Sequence, residues 1–180
     1  MDSLQQLLAK NSSSTSGIHE AMASHAEDVF ESFKGILPIF LGKRELGPFV
    51  ALTLPRETTQ SRVKLLSAIS DLILAYNFRV VSFLSAIQAR TCENDIPKLG
   101  AILITADAAK TLFQLPWDMQ FDRESNLTEF KRTEADGEVI PSESWNAFFQ
   151  RGGDTKSRRM GYDRLIALFE DKTQLPAFEK

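Results

Sequence analysis

The sequence has one cysteine and only two histidines among its 180 residues. A single cysteine excludes an internal disulfide and fits a reducing compartment. The histidines, His19 and His25, lie six positions apart on a predicted helix, whereas two helical metal ligands need a spacing of three or four. We therefore expect no metal site and interpret both histidines as surface residues.

Long apolar runs and a strong charge imbalance are also missing. The longest apolar runs, such as LGAILIT, stop far short of the roughly 18–20 residues that a membrane-spanning helix needs. The start of the sequence lacks the features of a secretory signal, and Asp2 stands where myristoylation needs glycine. We expect a cytoplasmic protein with no membrane span. The net charge of -3 excludes a protein that is basic over its whole surface, so contact with nucleic acid would need a local patch.

Residues that mark catalysis form no readable motif. Cys92 lies in the polar segment RTCENDIP, where neighbouring carboxylates disfavour a thiolate. Gly42 does not belong to a phosphate-binding P-loop, because the glycine spacing is wrong and Arg44 replaces the hydroxyl residue that holds magnesium. Asp118 and Asp122 have no apolar setting suited to acid catalysis. We expect no cofactor and nominate no catalytic residue, and a small enzyme without a readable motif stays as an alternative.

What the sequence does contain is the composition of a globular domain, with 43% hydrophobic and 25% charged residues. Apolar periodicity predicts helices at Ile18–Lys34 and Thr59–Tyr76. Runs rich in β-branched and aromatic residues predict strands at Phe49–Leu54, Phe78–Leu84 and Ala101–Thr105. The strand–helix–strand order fits a right-handed crossover, although antiparallel pairing stays open. The prediction is a single α+β domain whose small mixed sheet is covered on one face by the two longer helices.

Shorter elements complete the predicted fold. The segment ILPIFLGKRELGP (residues 36–48) is interpreted as a broken connector. A brief helix over DAAKTLFQL (residues 107–115) should end at Pro116, and a meander should follow, with a turn at Asp136-Gly137. Ser142 should begin a short helix that carries Trp145, Phe148 and Phe149, and the last helix should run from Tyr162 to Asp171.

Both ends of the sequence are interpreted as arms around a globular domain of residues 18–171. Residues 1–17 combine a short amphipathic helix with the polar linker NSSSTSG, which has nothing to bury. Residues 172–180 form an extended tail. The first segment is either a frayed end or an arm that docks its leucines on a partner subunit.

Two segments carry opposite charge. Residues Arg151–Arg164 contain five basic and two acidic residues, a net charge of +3, whereas Trp117–Ile140 contains three basic and seven acidic ones, a net charge of −4. The segments either face solvent or pair within the monomer, join neighbouring copies, or allow the basic loop to bind nucleic-acid phosphates. All three interpretations stay open.

The function predicted from these patterns is that of a non-enzymatic, self-associating structural or adaptor protein, such as a component of a viral or other multi-subunit particle. The main partner is therefore expected to be a second copy of the chain. The alternative is an accessory protein that binds RNA or single-stranded DNA. The candidate nucleic-acid or anion-binding residues are Arg151, Lys156, Arg158, Arg159 and Arg164. The candidate oligomer-interface residues are Leu4, Leu7, Leu8, Glu134, Asp136, Glu138, Leu175 and Phe178.

Overall fold

The computed structural model describes residues 2–11, 13–53, 61–91, 94–133, 137–138, 149, 154–168 and 175–178. Its helices are α1 (Asp2–Asn11), α2 (Thr15–Phe33), α3 (Ser61–Tyr76) and α4 (Thr155–Leu168). Its strands are β1 (Ile39–Lys43), β2 (Val50–Thr53), β3 (Val80–Thr91), β4 (Asn94–Asp107), β5 (Leu112–Phe121), β6 (Leu127–Arg132) and β7 (Gly137–Glu138). The predicted α+β single-domain class is confirmed.

The strands form one sheet in the order β2-β1-β3-β4-β5-β6, and β7 pairs with β5. The sheet is antiparallel rather than mixed. Strands β2 and β3 precede and follow α3 in the sequence. In the sheet β1 lies between them, so β2 and β3 run in the same direction but are not neighbours. The predicted crossover therefore joins strands that are separated by one antiparallel neighbour.

The domain consists of two compact units, each defined by the contacts among its own residues. The first consists of Met1–Pro38, Ser82–Thr105 and Thr111–Ile140. The second consists of Ile39–Val81, Ala106–Lys110 and Pro141–Lys180.

Helix α2 of the first unit confirms the predicted helix and begins earlier than expected. The Ser14 side chain accepts a hydrogen bond from the Gly17 backbone N–H at 3.0 Å, the geometry of an N-cap. The prediction of a flexible linker up to Gly17 is therefore wrong for Thr15–Gly17, which form the first helical turn. At the other end Lys34 adopts the left-handed conformation that ends the helix.

The core of the first unit combines α2 with the later strands. Ile18 and Met22 on α2 are buried, as are Leu103 on β4 and Leu115 on β5. The Trp117 ring is also buried, and it stacks on Phe130 of β6 with ring centroids 4.9 Å apart. Phe130 in turn contacts Phe30 of α2 at 5.3 Å.

Strand β5 corrects the helix predicted for residues 107–115. Asp107 accepts a hydrogen bond from the Ala109 backbone N–H at 2.9 Å, and Lys110 adopts a left-handed conformation, so the chain turns here. The strand that follows includes Pro116, whose carbonyl accepts from the Thr133 N–H at 3.0 Å. A proline has no N–H to donate but keeps its acceptor, so it can remain within a strand that needs only its carbonyl.

The meander is confirmed as strands, but Gly137 does not lie in a turn as predicted. The tight turn lies at Asp122–Asn126, where the Asp122 carboxylate accepts from the backbone N–H groups of Glu124 and Asn126. Strand β6 therefore pairs with β5, with Trp117 opposite Arg132. Gly137, predicted in the turn, lies in β7 and also pairs with β5; its expected turn partner Asp136 lies outside the described residues.

Strand β1 of the second unit corrects the connector predicted for residues 36–48. Its apolar residues Ile39, Phe40 and Leu41 are all buried, and β1 pairs with β2 through a tip at which Gly47 has a φ of 111°. Gly42 is required in β1, because a Cβ there would lie 2.6–2.7 Å from the buried ring of Phe78. A continuous apolar run with no alternation does not distinguish a buried strand from an apolar connector.

Helices α3 and α4 pack together in the second unit. Ile69 and Leu72 of α3 and Leu165 of α4 are buried. Gly161 faces α3 inside α4, where an added Cβ would come 3.4 Å from the Asp71 carbonyl oxygen. The predicted helix start at Thr59 lies outside the described residues, and so do Ser142, Trp145 and Phe148 of the predicted short helix. Phe149 has helical backbone.

Candidate functional site

The basic segment is mainly a helix rather than the predicted loop. Asp154 precedes α4, and its carboxylate accepts a hydrogen bond from the Ser157 backbone N–H at 2.7 Å. That bond holds the pKa of the Asp154 carboxyl below its usual range, as expected for an ionised residue at a helix N-terminus. The helix predicted to start at Tyr162 therefore begins at Thr155, and four of the five candidate cations lie on it. The fifth, Arg151, lies outside the described residues.

Three of these cations bind groups of their own unit. Arg158 donates from Nε and Nη2 to the Ala75 carbonyl oxygen, at 3.2 and 3.1 Å. Ala75 lies in the last turn of α3, where carbonyl groups lack helical partners and the helix dipole favours a cation.

Arg164 donates to both carboxylate oxygens of Asp71 on α3, with Nε 2.9 Å from Oδ2 and a second short contact from Nη2 to Oδ1. The Asp71 side chain is only 8% exposed, whereas the Arg164 side chain is 53% exposed. Arg159 pairs with Asp163 at 3.0 Å on the outer face of α4. The basic pattern in this part of the sequence thus serves the packing of α4 on α3, and Lys156 is exposed.

The C-terminal segment Leu175–Phe178 lies against the same two helices. Leu175 is buried, and the Tyr76 hydroxyl of α3 donates to the Pro176 carbonyl oxygen at 2.7 Å. The Phe178 ring lies 5.4 Å from the Tyr162 ring of α4. Leu175 and Phe178 are therefore bound to their own unit and do not form a free arm as predicted.

Two of the three arginines on α4 complete this contact. The guanidinium groups of Arg158 and Arg159 lie 5.5 and 5.6 Å from the centre of the Phe178 ring. Arg159 also lies over Tyr162 at 5.5 Å. The sequence did not predict that Phe178 lies beside these arginines, because only the fold brings this segment to α4.

The N-terminal leucines also contact their own unit. Leu4 and Leu8 of α1 are buried, and Leu7 is half-buried; α1 packs against α2. The amphipathic helix is confirmed, but its apolar face is covered within the monomer rather than displayed. Among the acidic candidates, Glu134 and Asp136 lie outside the described residues, and Glu138 lies in β7.

The acidic meander supplies an arginine to an ion pair within the first unit. Arg132 of β6 donates from Nε and Nη2 to the Glu27 carboxylate of α2, at 2.5 and 3.1 Å, and lies 3.7 Å from Glu20. The Trp117 indole N–H donates to Glu27 at 3.3 Å. Arg132, one of the three basic residues of this segment, therefore pairs with carboxylates of its own unit.

The prediction that both histidines are surface residues is wrong for His19. It is 2% exposed, and its Nδ1 lies 2.9 Å from the Thr105 hydroxyl, which in turn lies 2.7 Å from the Ser82 hydroxyl. His25 is half-buried, and this burial lowers its pKa. Among the described residues, no three histidine, cysteine, aspartate or glutamate side chains converge as a metal site requires. Cys92 lies outside those residues.

The β1–β2 hairpin presents a different kind of surface. Leu46 at its tip is 86% exposed, the highest exposure among the large apolar side chains of the described chain. Strand β2 ends the described strand order, with β1 on one side. A terminal strand directs a row of backbone donors and acceptors outward, where another strand can pair with them.

None of the described helices combines the length and apolarity needed to cross a membrane. Comparison of the chain with known proteins found no matching family model, no matching curated protein and no matching solved structure.

Proposed function

We propose that this chain is a non-enzymatic structural or adaptor protein that associates with copies of itself, as a component of a multi-subunit particle would. The observation that carries the proposal is the β1–β2 hairpin, which combines the terminal strand of the sheet with the most exposed large apolar side chain. The leucines of α1 and the C-terminal segment lend no support as free arms, because they contact their own units.

Strand β2 has the chemistry of an edge that accepts another strand. Its four residues, Val50–Thr53, include no charge and no proline, the features by which many proteins block pairing at a sheet edge. Two β2 strands related by a twofold axis would continue the sheet and satisfy the outward backbone groups of both copies. Leu46 would then lose part of its contact with water.

The expected association is weak because β2 is short. Pairing four residues forms about four backbone hydrogen bonds, each contributing about 1 kcal/mol net, and burying two leucines contributes about 4 kcal/mol. Loss of translational and rotational freedom costs at least about 4 kcal/mol. With this smallest cost, the remaining free energy is about −4 kcal/mol, which corresponds to a dissociation constant near 1 mM. Many copies in one particle would make such a contact effective.

Light scattering and sedimentation velocity test the proposal over protein concentrations from about 10 µM to 1 mM, a range chosen from that constant. We expect the mean mass to rise with concentration and to persist at high salt, because hydrogen bonds and apolar contacts are not screened as exposed charges are. Leu46→Asp should abolish the rise. Leu99→Asp is the matched control, since Leu99 is also exposed but lies on β4.

A constant monomer mass at every concentration would refute self-association. An equal loss of association in Leu46→Asp and Leu99→Asp would refute the hairpin as its site. A rise that disappears at high salt would instead favour the charged segments.

Nucleic-acid binding is the second candidate, and one observation favours it. Arg159 is 56% exposed beside the rings of Tyr162 and Phe178, and an arginine with adjacent aromatic rings suits single-stranded nucleic acid. The candidate has less support than self-association, because Arg158 and Arg164 bind groups of α3. Repeating the light scattering with a single-stranded RNA at low salt tests it, and an unchanged mass would refute it.

A further inference from the structure

The C-terminal segment Leu175–Phe178 occupies the surface of α3 and α4 in the way that an extended peptide occupies a binding site. Three of its four residues make distinct contacts. Leu175 is 7% exposed, the Pro176 carbonyl accepts from the Tyr76 hydroxyl, and the Phe178 ring lies against Tyr162. Ala177, between them, is exposed.

Each contact depends on a different chemical property of the segment. The Tyr76 hydroxyl donates to a backbone carbonyl, which any residue offers, and burial raises the pKa of this phenol. Proline holds its own backbone near the extended conformation and lowers the entropy lost on docking. The arginines Arg158 and Arg159 favour an aromatic ring at the last position through cation–π attraction. These contacts therefore favour an extended segment with proline at its second position and an aromatic ring at its fourth.

We propose that this surface, the α3–α4 peptide site, binds the C-terminal segment of a second copy of the chain as well as its own. The same contacts form whichever copy supplies the segment, so exchange requires only that the segment leave its own site and meet a neighbour's. The docked part described is four residues long and buries one aliphatic side chain, which makes its release from one copy compatible with rebinding to another. This inference rests on the proposed self-association, because neighbouring copies supply the exchanged segments at high local concentration.

The first experiment measures peptide binding by fluorescence anisotropy. The probe is a labelled synthetic peptide with the sequence TQLPAFEK, residues 173–180 of the chain. The receptor is the full chain with Leu175→Ser and Phe178→Ser, which vacates the site without removing residues. We expect saturable binding that is at least about tenfold tighter than to the unsubstituted chain, whose own segment competes at a high effective concentration.

Matched peptides and one receptor variant test which contacts contribute to the affinity for the peptide. A peptide with Phe178→Ala should bind at least about tenfold more weakly, whereas a peptide with Ala177→Ser should bind equally well because Ala177 is exposed. Tyr76→Phe in the receptor removes one hydroxyl and should weaken binding about three- to tenfold. Circular dichroism and thermal melting of each receptor check that it is folded, and the peptide variants need no such check. Absence of saturable binding would refute the proposed peptide site, and so would an affinity that is unchanged by Phe178→Ala in the peptide.

The second experiment asks which copy supplies the segment. Two full-length chains with different tags, each carrying the photo-crosslinking residue benzoylphenylalanine in place of Phe178, are mixed and irradiated. We expect a covalent species that contains both tags and whose yield rises with protein concentration. Crosslinks confined to single chains at every concentration would overturn the exchange between copies.

The two proposals fail separately. Leu46→Asp should remove association through the hairpin but leave the affinity for the peptide unchanged, because the Leu46 side chain is 86% exposed at the tip of the β1–β2 hairpin. A mass that rises with concentration in a chain that binds no peptide would leave self-association standing and overturn the peptide site. Peptide binding by a chain that stays monomeric and forms no crosslink between tags would overturn both self-association and exchange.

Discussion

Replacing Arg164 by methionine tests whether the basic helix serves packing or ligand binding. The substitution keeps an apolar stem of similar length and removes the guanidinium group that binds the Asp71 carboxylate. The Asp71 side chain is 8% exposed, so water has little access to replace the lost donor. We therefore expect Arg164→Met to lower the stability of the fold.

The exposures of the two partners set the size of the effect. Breaking a wholly buried ion pair costs about 3–5 kcal/mol, and an exposed pair contributes about 0–1 kcal/mol. The Asp71–Arg164 pair combines a buried carboxylate with an arginine that is half exposed, so we expect a loss of about 1–3 kcal/mol in the free energy of unfolding. For a chain of this length, that lowers the melting temperature by roughly 2–12 °C.

Thermal and urea unfolding, followed by circular dichroism, measure the effect. Lys156→Met is the matched control, because it removes the same charge from an exposed position of α4 and should change stability by less than about 0.5 kcal/mol. Adding Asp71→Asn to Arg164→Met removes the uncompensated charge and should recover part of the loss, giving a coupling of about 0.5–3 kcal/mol. Equal melting temperatures for Arg164→Met and Lys156→Met would refute a packing role and return Arg164 to the set of candidate ligand-binding residues.

Two further predictions concern the two units separately. Gly42→Ala places a Cβ 2.6–2.7 Å from the buried Phe78 ring and should cost about 1–3 kcal/mol in urea unfolding, whereas Gly35→Ala, whose nearest atom lies 3.8 Å away, should be neutral; equal effects would contradict the close approach. Burial lowers the folded-state pKa of His25 below 6.5, so the unfolded state takes up its proton first and stability falls as the pH drops below about 6.5. His25→Gln should reduce the pH dependence of the melting temperature between pH 7 and 5, and an unchanged dependence would contradict the assignment.

Helices α2 and α3 were the most predictable elements of the fold. In α2 the apolar residues recur at helical spacing, and in α3 a long apolar stripe does the same; the predicted ranges agree with both helices to within a few residues. Strands β2, β3 and β4 were also recognised from short runs of β-branched residues. Periodicity is a local property of the sequence, so it can be recognised without knowing which elements the helix packs against.

The missed strands show what local pattern leaves undecided. Strand β1 is apolar on consecutive residues, and β5 is interrupted by Pro116, so neither displays the alternation that marks a half-buried strand. The turn predicted to contain Gly137 was wrong because β6 and β7 both pair with β5 through backbone hydrogen bonds. Those bonds connect residues far apart in the sequence, and no local propensity encodes them.

The candidate surfaces likewise have features that the sequence predicts and features that depend on the fold. The sequence by itself determined an α+β chain with an amphipathic helix at its start, a basic run near its end and no readable catalytic motif. Only the tertiary structure decided that Arg164 neutralises Asp71, that Phe178 lies beside Arg158 and that Leu46 is the most exposed large apolar side chain of the described residues. A charge or an apolar side chain has the same chemistry wherever it stands in the sequence. Whether it stabilises the fold or offers a surface to a partner depends on which distant group the folded chain brings within a few ångströms of it.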